Sequence, residues 1–159
     1  AWAAAHQAPL LFTLEDGTVT PGLAVRLAQC KRVVAVGDAL QVDASVEGAL
    51  PDTVEFVRLQ GANGYSESAA VARYALANGA AADGVILISA PNLTAQLSTI
   101  GLAACKGVPL AVVGDGSLDV VDAIAHAGQP AYSATIVGPQ DRFSADLLDS
   151  VAKELGWIQ

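Results

Sequence analysis

Short unbroken apolar runs and small-residue segments of helical spacing take turns along the chain. In its middle, Gly84-Val-Ile-Leu-Ile-Ser89 shows no polar alternation, the pattern of a strand covered on both faces of a parallel sheet. Pro91-Asn92 follows as a turn and cap pair, and Leu93, Leu97, Ile100 and Ala104 then recur at helical spacing up to Gly107. Val108-Pro-Leu-Ala-Val-Val113 is a second buried run. Strand, helix and strand between Ala82 and Val113 predict a right-handed βαβ unit.

The same alternation extends both ways. Ala1 to Gln7 reads as the tail of a helix, Pro9-Leu-Leu-Phe-Thr13 as a strand and Glu15-Asp-Gly17 as a turn. Thr20-Pro21 opens a helix through Leu27, with proline in its first turn. Arg32 to Val36 is a strand closed by Gly37-Asp38, Val42 to Leu50 a short helix, and Val54 to Leu59 another strand. Gln60 to Gly64 is a loop by composition, and Ser66 and Glu67 start a helix through Leu76. Beyond the central unit, Gly114 to Ser117 turns the chain into a helix from Leu118 to Ala127. Ser133 to Val137 is a strand, and Asp141 or Ser144 begins a last amphipathic helix to Leu155. The fold class this predicts is α/β, a three-layer, mostly parallel sheet flanked by helices.

The order also repeats. Ala-Pro-Leu-Leu from Ala8 matches Val-Pro-Leu-Ala from Val108 at an offset of 100, and Val34-Ala-Val-Gly37 matches Thr135-Ile-Val-Gly138 at an offset of 101. Tandem repeats of about a hundred residues follow. Residues 1–50 form the second half of one repeat, 51–57 a connection and 58–159 a complete repeat, so that Pro9 and Pro109 are expected to open equivalent central strands. A half-unit alone leaves sheet edges unpaired, so upstream residues or a partner chain are expected to supply the missing half.

Composition narrows the function classes. The 159 residues are 53% hydrophobic and 15% charged, which suits one domain or two small ones with a substantial core rather than disorder. Eight scattered basic residues against sixteen acidic ones give a net charge of −8, which argues against nucleic acid as a partner because phosphate backbones require clustered positive charge. No charge lies between Asp83 and Lys106, but Pro91, Asn92 and Gln96 interrupt the segment, and no membrane span is expected. Cys30 and Cys105 stand apart, each near the end of a predicted helix, and are expected to be buried, inert thiols.

No catalytic set emerges. Gly114-Asp-Gly-Ser-Leu-Asp119 lacks the third glycine of the dinucleotide fingerprint, and no phosphate-binding G-x-x-x-x-G-K-S/T occurs. Asp38, Asp83 and Asp115 near strand ends suit turn and cap duty better than a cation, and His6 and His126 stand alone. Neither G-x-S-x-G nor a cysteine beside a base is present. The expectation is a non-enzyme with no cofactor and no metal.

A family resemblance enters at Arg58-Leu-Gln-Gly61-Ala-Asn63-Gly-Tyr65, followed by Ala69-Ala-Val-Ala-Arg73, the run Val85 to Ser89, Asn92, Leu97-Ser98, Leu102-Ala-Ala104 and Pro109. In order and spacing this resembles the type 2 cell-wall-binding repeat, which reads roughly R-I/L-x-G-x-D/N-R-Y-x-T-A, a buried strand, N-F-x-D-A-L-S-A, L-A-A, a proline-led strand and V-x-G-G. Several polar signature positions differ: Gly64 replaces the arginine of R-Y, Glu67 the threonine, Ala95 the aspartate, and Asp38 and Pro139 the second glycine. The resemblance implies a secreted, non-catalytic module of Gram-positive surface proteins, present usually as three copies around a pseudo-threefold axis and held on anionic cell-wall polymer. An extracytoplasmic location, at the cell wall or cell surface, follows from it.

Arg58, Asn63, Tyr65 and Asn92 are the candidate ligand-binding residues, expected to converge at one end of the sheet where α/β folds place ligands. The plainer reading of the same residues pairs Arg58 with Glu67 and makes Asn63 a helix cap. Asn92-Leu-Thr94 spells both a glycosylation sequon and a cap. The functional expectation is a non-catalytic cell-envelope module that anchors to wall polymer or is a degenerate structural copy. The alternative is an accessory subunit binding another envelope protein, and a nucleotide-binding enzyme stands third.

Overall fold

The computed structural model of the chain describes residues 3, 6–81, 83–89, 93–114, 117–127 and 131–158, with 93–96 described by their backbone. Eleven elements follow one another: α1 (Pro21–Leu27), β1 (Arg32–Val36), α2 (Ala44–Gly48), β2 (Glu55–Leu59), α3 (Gly64–Ala77), β3 (Gly84–Ser89), α4 (Leu93–Lys106), β4 (Leu110–Val113), α5 (Asp119–Ala125), β5 (Ser133–Val137) and α6 (Ala145–Glu154). A short 3-10 turn, Gln140–Arg142, precedes α6. The chain is α/β with parallel sheets flanked by helices.

The strands form two sheets. β4, β3 and β5 lie in that order, with Ile86 opposite Leu110 and Gly84 opposite Ser133, and β1 pairs with β2 from Arg32 opposite Glu55 to Val36 opposite Leu59. All six residues of β3 are buried. Because side chains alternate across a strand, Val85 and Leu87 enter a cluster with Ala69 and Ala72 of α3, Val120, Val121 and Ile124 of α5, and Val151 of α6. Ile86 and Ile88 face the other way, onto Ala103 of α4 with Val108, Leu110, Val112 and Val137 around them. Helices therefore cover both faces, and each fully buried Ile or Leu of β3 contributes about 1.5–3 kcal/mol relative to an exposed one.

Small residues set the closest packing. Ala69, Ala72 and Ala75 recur every three positions along α3 and are buried, which lets its backbone approach α5, its broadest helical neighbour. In α6, Leu147, Leu148, Val151 and Leu155 share the inward face, and Ser144 caps the helix by accepting from the Leu147 amide at 3.2 Å. The smaller sheet is tied to α3 by Arg32, whose Nε donates to Glu55 Oε2 at 2.7 Å and whose Nη1 reaches Tyr74 Oη and Asn78 Oδ1 at 3.3 Å each.

Three expectations are corrected. Pro9 to Thr13 is not a strand: Leu10 is 70% and Phe12 82% exposed, whereas the segment after Pro109 is β4. β4 exists because β3 offers it a ladder from Ile86 to Ser89. The described residues hold no counterpart of β3 beside residues 9–13, so those backbone groups lack a template and local sequence alone does not hold a strand. Cys30 and Cys105 are both exposed. Cys30 follows α1, none of whose residues is buried, and on α4 the buried positions Thr99 and Ala103 turn Cys105 outward. The Val42–Leu50 helix shortens to Ala44–Gly48 because Asp43 caps it, its carboxylate accepting from the Ser45 amide at 2.8 Å. No helix among the described residues is long and apolar enough to cross a membrane.

Candidate functional site

The best polar region of the sequence lies at the carboxyl ends of β1 and β2. Arg58, next to last in β2, is half-buried and points its guanidinium into the loop that follows β1. Its Nη1 donates to the carbonyls of Gly37 at 3.2 Å, Asp38 at 3.0 Å and Val42 at 2.8 Å. Phe56, two residues earlier on the same face, places its ring centroid 5.4 Å from the guanidinium carbon, a cation–π contact. Its recorded partners are thus backbone carbonyls rather than Glu67.

That loop is also closed by its own side chains. Asp38 Oδ1 accepts from the amides of Leu40 at 2.8 Å and Gln41 at 3.1 Å, and Gln41 Oε1 accepts from the Asp38 amide at 3.0 Å. Asp43 is held ionised below the usual carboxylate range, first by its hydrogen bonds to Ser45 and last by the positive field of Arg58. Arg58 therefore sits in an acidic, carbonyl-lined seat.

Asn63 is the N-cap of α3. Its Oδ1 accepts from the amides of Tyr65 and Ser66 at 3.0 Å each, and Ser66 Oγ returns the favour to the Asn63 amide at 3.1 Å, a capping box with serine in the usual glutamate position. Gly61 is pressed against this first turn so closely that a Cβ would overlap the Ser66 and Glu67 backbone. Tyr65 lies half-buried in the same turn. Arg58 and Asn63 thus flank one loop, each engaged by backbone groups, with Tyr65 beside Asn63. Asn92 lies outside the described residues, so its place relative to the other three is not part of this geometry.

Two features are not visible in the primary sequence. A groove of about 540 Å³ runs along the outer edge of β4, between Val71 and Ala75 of α3 and Ile100 and Ala103 of α4, with Leu110 and Val112 as its floor. Val36 at the end of β1 and His6 also border it. Its lining comes from α3, α4 and β4 and includes the buried Ala72, Ala75 and Ala103, so no single stretch announces it. The second concerns His126, expected to stand alone: its Nδ1 is 3.0 Å from Asp122 Oδ1, and Glu154 of α6 approaches the pair. The one-turn spacing of Asp122 and His126 could have revealed the first contact; the second needs the packing of α6.

No protein-family model matches the sequence, and no curated protein does. Among solved structures the fold is similar to Cwp6 from Clostridium difficile, with a TM-score of 0.74 and 12% sequence identity. The likeness covers 97% of this chain and 25% of that one, so the chain spans about a quarter of the neighbour's length. At that identity the likeness is one of fold.

Proposed function

We propose that the chain is a non-catalytic cell-envelope module of the type 2 cell-wall-binding kind, working outside the cytoplasm, and that it is a structural copy more than a polymer-gripping one. The observation that carries this reading is the use made of the polar loop. Arg58 is spent on three carbonyls and Asn63 on a helix cap, so the residues that would meet an anionic polymer hold the scaffold together instead. Likeness to a cell-wall protein's fold over nearly the whole chain supports the envelope setting. A net charge of −8 adds that any contact with anionic polymer needs a bridging cation.

The test is co-sedimentation of the purified chain with isolated cell walls at low and high salt, with and without calcium. Weak, calcium-dependent, salt-sensitive pelleting is expected. Tight, calcium-independent pelleting that Arg58→Ala abolishes would contradict the structural-copy reading, because it would make Arg58 a ligand contact.

The groove beside β4 and the exposed Leu10 and Phe12 favour a second reading, an accessory chain that binds another envelope protein. It predicts stable co-purification with a second chain. A monodisperse, well-folded monomer with no partner would count against it.

A further inference from the structure

We propose that Asp122, His126 and Glu154 form a surface site for a divalent transition metal of the zinc class. One ligand atom from each residue lies within 4.8 Å of the other two. Asp122 and His126 sit one turn apart at the end of α5, while Glu154 closes α6, so the set is assembled from two helices rather than along one. Zinc places its ligands about 2.0–2.2 Å away, which puts tetrahedral neighbours roughly 3.5 Å from one another. Small side-chain rotations therefore suffice to close the set, and all three residues are exposed, with a metal taking over the existing His126–Asp122 contact.

The backbone beneath is held. Val120, Val121, Ala123 and Ile124 bury the inner face of α5, and Val151 buries that of α6, so the outward positions of Asp122, His126 and Glu154 are fixed by the core. An imidazole nitrogen with two carboxylate oxygens selects zinc, nickel or copper over calcium and magnesium, which favour oxygen-only shells. Two carboxylates and a neutral ring balance the charge of a divalent ion, and three protein ligands leave a position for water. This site stands apart from the polar loop and does not depend on the envelope reading.

Titration calorimetry of the whole chain with zinc chloride tests the proposal, in a Cys30→Ser, Cys105→Ser background because both exposed thiols also attract zinc. One saturable site is expected, weakened about tenfold or more by His126→Ala and by Glu154→Gln, with unchanged far-UV circular dichroism and melting in the absence of metal. No saturable binding up to millimolar zinc would overturn the site, as would parental affinity in either variant. Calcium binding as tightly as zinc would overturn the metal class.

Discussion

β1 and β5 are strands of the same length, beginning at Arg32 and Ser133, and each ends in a glycine of positive φ, Gly37 at 120° and Gly138 at 150°. Six residues further on, Asp43 and Ser144 each cap the next helix with a side-chain oxygen, so strand start, glycine and cap all recur at an offset of 101. The surroundings are unlike. β5 joins β3, whose two faces are covered by helices, whereas β1 has β2 alone for a ladder partner among the described residues. Upstream, the segment after Pro9 lies exposed where the one after Pro109 is a core strand. Turns and caps are written locally and recur with the sequence; strands recur only where a neighbouring strand gives them a ladder.

Core truncation gives the largest effect that would sharpen this difference. Leu87→Ala on β3 is expected to cost about 2–5 kcal/mol in urea denaturation, while Phe12→Ala should stay within about 0.5 kcal/mol of the parent. Similar losses at both sites would mean that residues 9–13 are packed after all.

Next in size is Arg58→Ala, which removes a charged donor from three half-buried carbonyls at a cost of about 1.5–3 kcal/mol. Amide exchange should quicken at residues 37–42 and not at 138–143, since the second loop has no such arginine in its sequence equivalent. The two glycines separate the halves more finely. A Cβ at Gly138 would meet Phe143 Cε2 at 2.9 Å, and at Gly37 the Gln41 side chain at 2.7 Å. Phe143 is buried, whereas exposed Gln41 can move at the loss of its bond to the Asp38 amide. Both alanine variants carry backbone strain of about 1–3 kcal/mol, and Gly138→Ala should be the more costly in the same denaturation series.

The smallest effects follow pH, and they differ in sign between the halves. His126 in the second half has a raised pKa, so what it adds to stability is fully present below the unfolded value near 6.5 and is lost as pH rises through the folded value. Asp16 and Asp43 in the first half have lowered pKa values, from their hydrogen bonds to Thr18 and Ser45 respectively. Their contribution is present above the unfolded value near 3.8 and fades as pH falls through the folded one. An NMR titration should place the His126 midpoint above 6.5 and move it down in Asp122→Asn, which keeps the backbone carbonyl but removes the carboxylate charge; an unmoved midpoint would remove the Asp122 carboxylate as a cause.

Much of the fold was legible in the sequence where a β-branched run was bounded by a glycine. Arg32–Val36, Gly84–Ser89 and Ser133–Val137 have the bounds their residues predict, and the Leu93–Lys106 helix stops before Gly107 as expected. Pro9 to Thr13 reads as a strand because its composition matches β4, but no partner strand lies beside it among the described residues, and a ladder is not a property of one strand. In the candidate site, the Asn63 cap is local and was readable; the carbonyls around Arg58 belong to a loop about twenty residues upstream, and only pairing of β1 with β2 brings them there. His126 looks solitary in the sequence for the same reason, its second carboxylate arriving from α6.

Native-state hydrogen exchange tests the inequality of the two halves most directly, read at the amides of β1 and β2 against those of β3, β4 and β5. Exchange of the β3–β5 ladder only through global unfolding, with β1 and β2 opening at distinctly lower free energy, is the predicted result. Equal protection of both sheets would contradict it, because the smaller sheet would then be as firmly built as the one whose central strand is covered on both faces.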